Sequence, residues 1–548
     1  MFKTAKYSVA RSSDHLEWFL IAVLIAASLG LVALFSVKVG VLTQEFIRSV
    51  RPGLFRLGGA PVSFPLAQQA GARKIEAPRF WNDRELSDWA TPVVGINVRP
   101  GHYSEKEYYS APELELVRTY PVYAPGREPA GYWQMIRNAK PERLLTPGAR
   151  TESEWVEAGK RVFHELDSFI FRSYDPKLIE IFRSSDEFQK RGGHALKDGT
   201  IGGVRWVPTS KGLALSIQEC AGCHSHIMPD GSILDGAPLN APPDGLIGEI
   251  FAPERLSEAL KLVSPGDSLA IANWRQFTVP WLADDINERL KSMTPADGQK
   301  FGMPINVIAR FNGSPFYPTK IPDLIGIQDR KYIDHTATHR LRGPADIMRY
   351  AALVTCCDIA DFGPHRISSE QGRRIIGRFP DDVLFALSQY LSALEPPRNP
   401  NSNNARAEAG QKVFQREGCA NCHTPPLYTN NKLTVAAGYT PTENHPLRAD
   451  IVRISVGTDP NLALKTRKGT GFYKVPSLKG IWYRGGFGHD GSVTTLEEWF
   501  DPARLRDDFV PSGFKGYEVT HRAVPGHQFG LKLSGEERAA LIAFLKTL

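Results

Sequence analysis

No block of lysine or arginine occurs in this chain of 548 residues, and the net charge is only +7 with a pI near 8.9. That balance excludes the electrostatic footprint of a protein that tracks nucleic acid. Methionine is scarce: all six residues (Met1, Met135, Met228, Met293, Met303, Met348) lie before residue 349, so the rest of the chain offers no thioether ligand. Cysteine occupies six positions. Neither Cys220-Cys223 nor Cys419-Cys422 has a second cysteine pair nearby to complete a four-ligand zinc site, although His226 follows the first. A small-residue A-x-A cleavage site is also missing after the apolar run near the N-terminus, which argues against a removed signal peptide.

Four of the six cysteines fall into two pentapeptides, Cys220-Ala221-Gly222-Cys223-His224 and Cys419-Ala420-Asn421-Cys422-His423. Two cysteines two residues apart and followed by histidine form the attachment pattern of a c-type haem: the thiols add to the vinyl groups and the imidazole reaches the iron. Two covalent c-type haems are therefore expected, with redox-inert cysteine pairs or disulfides as the alternative. The adjacent Cys356-Cys357 reads as two small buried residues, because a bridge between neighbours is strained.

Hydrophobic residues make up 42% of the chain, consistent with two or three domains that have sizeable cores. Residues 18–37 are a 20-residue run without a charge, long enough for a transmembrane helix. Lys3, Lys6 and Arg11 favour a cytoplasmic N-terminus over 1–17, and Lys38, Arg48 and Arg51 weaken the asymmetry. This predicts a single-pass protein of a bacterial inner membrane with its main body in the periplasm. Residues 38–150 are rich in proline and aromatics without sustained periodicity, and read as an extended arm packed on that body.

An internal repeat follows. "VEAGKRVFHEL" (156–166) superposes on "AEAGQKVFQRE" (407–417) with an offset of 251 residues. Phe414 is followed closely by Cys419, whereas Phe163 and Cys220 are 57 residues apart, so a long insertion interrupts the first unit. "PDDVLFALSQYLSALEPP" has a proline and two aspartates at its start, helical apolar spacing and a Pro396-Pro397 stop. Ser534 and Glu537 form a capping-box pattern before the last helix. The fold expected is mainly α, with two cytochrome c-type haem domains in tandem: 151–397, with insertions, and 405–548.

The stretch "KVPSLKGIWYRGGFGHDGSVTTLEEWF" (474–500), with its His489-Asp490-Gly491-Ser492 turn, resembles the second domain of bacterial dihaem cytochrome c peroxidases. The 199 residues between the two haem motifs are similar to the spacing in the rubber-oxygenase branch of that superfamily. The resemblance implies a dihaem oxidoreductase in which the C-terminal haem relays electrons to an N-terminal haem that activates peroxide or dioxygen. A periplasmic electron donor or acceptor and an interdomain calcium ion are further implications. A rubber-like polymer is disfavoured by the membrane anchor.

His224 and His423 are the expected proximal ligands. With no methionine in the second unit, histidine is the expected distal ligand there, and the resemblance places it at His527, in "RAVPGHQFG", with His489 as competitor. For the first haem, "DRKYIDHTATHRLRG" stands where the family has an aromatic residue and distal-pocket groups. It offers Tyr332, Asp334, His335 and His339, and either histidine is an acid–base group over an open iron or a ligand that closes it. His226 and Met228 read as packing. Two alternatives stay open: an electron-transfer cytochrome with both haems six-coordinate, and a non-enzymatic interaction protein.

Overall fold

Two helix crossings in this chain are built alike. The first pairs α1 (Glu152–Glu165), opened by a capping box between Thr151 and Glu154, with α3 (Asp381–Ala393), which starts after Pro380. The second pairs α4 (Ala405–Arg416), capped by Asn404, with α5 (Gly535–Lys546), opened by the Ser534–Glu537 capping box. In each, a glycine lets the backbones touch: a Cβ on Gly159 would collide with the Ala386 carbonyl, and one on Gly410 with the Ala540 carbonyl. One turn further along, Phe163 packs on Tyr390 (ring centres 5.5 Å) and Phe414 on Phe544 (5.3 Å). The repeat seen in sequence is thus a repeated helix contact.

This computed structural model describes residues 73–548 apart from 241–244, 264–273, 276, 295, 298–306, 309–313, 358–360, 368–374, 376 and 517. Residues 72–548 form one compact unit. Helix α2 (Pro344–Thr355) packs on α3, and its Arg349 ties down the chain near residue 80. The guanidinium pairs with Asp346 at 2.5 Å and donates to the Phe80 carbonyl at 2.8 Å. Trp81 and Trp89 are fully buried in the largest core beside Trp155 and Phe163. Aromatics of the 73–150 segment therefore serve mainly as anchors. Tyr123 is an exception, since it borders the main cavity.

Helix accounts for 32% of the described residues and strand for 14%, so the chain is not mainly α with a transmembrane helix. Six small sheets occur among the described residues. Strand β1 (Tyr120–Tyr123), β2 (Thr200–Thr209) and β3 (Gly212–Ile217) form an antiparallel sheet in that order. A second sheet has the order β5-β4-β6, from β4 (Leu433–Val435), β5 (Ile451–Val452) and β6 (Phe472–Lys474). Part of the departure is local: the insertion before Cys220 folds as a hairpin, with Val204, Trp206 and Val207 buried on β2 and a two-residue loop before Gly212.

The placement as a single-pass inner-membrane protein with a periplasmic body is corrected too. Among the described residues no helix is long and apolar enough to cross a membrane. The longest, α1, has 14 residues, against about 20 for a span. The 18–37 run lies outside the described residues.

Candidate functional site

Cys220, Cys223 and His224 open onto a cavity of about 1600 Å³. That exceeds the roughly 300–1,000 Å³ of ordinary small-molecule pockets, enough for a porphyrin with space beside it. The walls are largely apolar: Phe163 and Leu166 at the end of α1, Val204 on β2, Leu384 and Leu387 on α3. Burial raises the Cys220 thiol above its usual range. The backbone N–H of His224 donates to the Cys220 carbonyl, turning the motif into one tight loop. His226, by contrast, is committed to packing, its ring bonded to the Pro238 carbonyl and to Asn240.

Of the four expected distal groups, two reach this cavity and two do not. Asp334 and Tyr332 line it. Tyr332 donates to Asp450 at 2.5 Å, and burial together with that carboxylate pushes its hydroxyl above the usual range. Asp334, held at a positive φ of 61°, accepts from Thr338 (2.9 Å), Lys468 (2.9 Å) and the hydroxyl of Tyr350 (2.5 Å). His335 turns away and bonds the Lys320 carbonyl at 3.0 Å, with burial lowering its imidazole to about 3. His339 borders a separate cavity of about 60 Å³, next to His102, and burial holds it well below its ordinary value. Tyr350 and Lys468 escaped the sequence reading because their link to Asp334 joins α2 to a loop in the second half of the chain.

The second motif is organised differently. His423 faces His527 with ring centres 6.3 Å apart. A metal–imidazole bond of about 2 Å on each side, plus roughly 1 Å from nitrogen to ring centre, gives about that separation, so the pair fits a single metal ion between two imidazoles. His423 donates from Nδ1 to the carbonyls of Tyr428 and Pro476, each 3.2 Å, which leaves Nε2 for a metal, as second-shell bonding usually arranges. Pro476 lies near the start of the 474–500 stretch, which gives that part of it a physical task. Burial, followed by the charges of His423 and Arg504, lowers His527 to about 4, so its imidazole is neutral near neutral pH and open to ligation.

Arg504 fixes the His527 loop. It is fully buried and donates to the carbonyls of Trp499, Val524, Gly526 and His527 at 2.6–2.9 Å. Gly526 has φ 80° and lies so near Thr458 that a side chain there would strike its backbone. His489 lies elsewhere: its ring sits over Tyr473 (4.6 Å) and its Nδ1 is 3.4 Å from the Thr458 hydroxyl. The Asp490 and Ser492 side chains of that turn are held by Arg522.

Among the described residues no group of three or more histidine, cysteine, aspartate or glutamate side chains is placed to hold a metal ion. No family model matches the chain, and no curated protein matches it. Among solved structures it is similar to hydrazine synthase of Kuenenia stuttgartiensis, at 17% identity over 53% of this chain and 92% of that one, with a TM-score of 0.26. It is also similar to a MauG-like protein associated with microbial copper homeostasis, at 20% identity over 31% of this chain and 56% of that one, with a TM-score of 0.20. Likenesses at these scores fix neither fold nor chemistry.

Proposed function

We propose that the chain is a dihaem oxidoreductase, with Cys220, Cys223 and His224 holding one haem and Cys419, Cys422, His423 and His527 holding the other. When bound, these groups supply electron relay at the second site and reduction of peroxide or dioxygen at the first. One asymmetry carries the reading. An imidazole stands opposite His423, whereas His335 and His339 both lie away from the cavity that His224 borders, and of the two other histidines on its lining, His164 and His194, the first is tied to Asp235 at 2.7 Å.

Reduction of hydrogen peroxide to two waters consumes two electrons and two protons. Tyr350 holds one such proton at its hydroxyl beside the cavity, hydrogen-bonded to Asp334. Lys468 holds that carboxylate in place. The apolar walls limit water around the reacting oxidant. Electrons come from a redox partner protein that docks near the second site.

The test is electron paramagnetic resonance on purified protein, with haem staining of the wild type and of Cys419→Ala/Cys422→Ala. Two haems, one low-spin and one high-spin, with one haem left in the double variant, are the expected result. Two low-spin haems sink the oxidant-reducing reading in favour of a pure electron carrier, and a haem-free protein sinks both. With peroxide as oxidant, Tyr350→Phe should slow turnover by about 10²-fold, as loss of a positioned proton donor does.

A further inference from the structure

Four cations converge between residues 320–330 and residues 474–484. Arg484 acts electrostatically on Lys320, Arg330 and Lys474, and Arg330 acts on Lys474, so they form one cluster. Their partners are few. Arg330 donates to the carbonyls of Asp323 and Ile325, and Arg484 to the carbonyl of Ser477 at 2.7 Å. Asp323 is the carboxylate in direct contact, 3.4 Å from Arg484. Among the described residues Lys320 Nζ has no hydrogen-bond or ion-pair partner, and Lys474 Nζ has only the Tyr332 carbonyl at 3.4 Å. Asp334, the next carboxylate, is already committed to Lys468.

Full burial of an unpaired cation costs several kcal/mol per ion, by order of magnitude, and these four side chains, half-buried, bear part of that cost. Desolvation accordingly lowers both Lys320 and Lys474 to about 7. Such an excess of positive charge is relieved either by loss of protons from the lysines or by an anion that completes the cluster. Arg330 and Lys474 border the same cavity as Cys220, Cys223 and His224. A porphyrin joined to two thiols through its vinyl groups carries two propionate carboxylates as its only anionic substituents.

We propose that Lys320, Arg330, Lys474 and Arg484 form an internal carboxylate receptor that is completed by haem propionates and so joins the two halves of the chain through the cofactor's own charge. This rests on the haem reading of the first motif. Loss of a cation there should disfavour the ferrous state, because reduction adds negative charge beside the cluster.

The experiment compares the holoprotein with Lys474→Met, Lys320→Met, Lys474→Arg and an exposed control, Lys479→Met. Haem content, midpoint potentials and the propionate bending bands in resonance Raman spectra are measured. In the two buried methionine variants the first haem should shift to lower potential with altered propionate bands, whereas Lys474→Arg and Lys479→Met should match the wild type. Full haem content with unchanged potentials and bands in both methionine variants overturns the receptor, while a wild type without haem overturns the underlying haem reading instead. Should Lys474→Met fail to load haem, loading by Lys474→Arg supports the receptor, and failure of both overturns it in favour of a packing role.

Discussion

His423 and His527 lie with ring centres 6.3 Å apart and planes tilted by 59°, although they belong to different loops at opposite ends of the second half of the chain. The spacing makes His527 the distal partner to test. Replacing it with glycine should open the second haem to carbon monoxide, and replacing it with methionine should raise that haem's potential and introduce a ferric thioether absorption band. His489→Gly should leave the second haem closed. The reverse pattern, with His489→Gly opening it and His527→Gly without effect, would assign the ligand to the His489 turn.

Arg504 acts on His527 through the backbone carbonyls that it holds. Its replacement by methionine leaves four carbonyls without this donor, two of them in buried hydrogen bonds, a loss on the order of 3 kcal/mol in denaturant unfolding. The loop should also loosen enough for a fraction of the second haem to bind carbon monoxide, and Arg504→Lys should recover part of that loss. A variant destabilised to this extent but spectroscopically unchanged would make Arg504 a purely structural group.

Each close helix crossing depends on one absent side chain. Gly159→Ala should push α1 off α3, and Gly410→Ala should push α4 off α5, each costing about 3 kcal/mol of stability by overpacking. The two should separate in site-specific readout, with the first disturbing the spectrum of the haem on Cys220 and Cys223 and the second that of the haem on Cys419 and Cys422. Full stability in either variant would show that the crossing has room to yield.

Asp381, in the first turn of α3, supplies a pH dependence. Burial raises its carboxyl to about 6, with Arg378 opposing the shift and Glu113 adding to it. A folded-state pKa above the unfolded value of 3.8 means that the native protein binds the proton more tightly. This contribution to stability is present at low pH and is lost as pH rises from about 4 through about 6. Asp381→Asn should remove that fall, so the difference in melting temperature between variant and wild type should grow in the variant's favour across the window. A difference that stays constant with pH would show that Asp381 titrates at its ordinary value.

Local signals in the sequence proved the more legible. The Ser534–Glu537 cap, the Pro380 start of α3 and the repeat that places Gly159 and Gly410 alike all depend on residues within a turn or two of one another, and each has its counterpart in the structure. The β2–β3 hairpin was written locally as well, in the alternation around Val204 and Trp206, but the long insertion masked it. Long-range partners other than the His423–His527 pair left no trace. Nothing near Lys468 announces Asp334, nothing near Arg504 announces the carbonyl of His527, and His339 looks like a distal-pocket residue until the small cavity beside His102 is seen to hold it apart. Such pairings are fixed by packing between distant segments, which no short motif encodes.

The repeated helix crossing also bears on how such a protein can change. Between Phe414 and Cys419 the chain has almost no slack, so the second site inherits its walls directly from α4 and α5. Between Leu166 and Glu219 it makes a long excursion, and Ile170, Phe171, Leu196, Ile201 and Val204 from that excursion wall the large cavity. Insertions, deletions and substitutions there can resize or recontour the chamber without moving the crossing or the thiols. One half is built to stay constant while the lining of the other is free to drift, so divergence among descendants of this chain should accumulate in the walls of a single room.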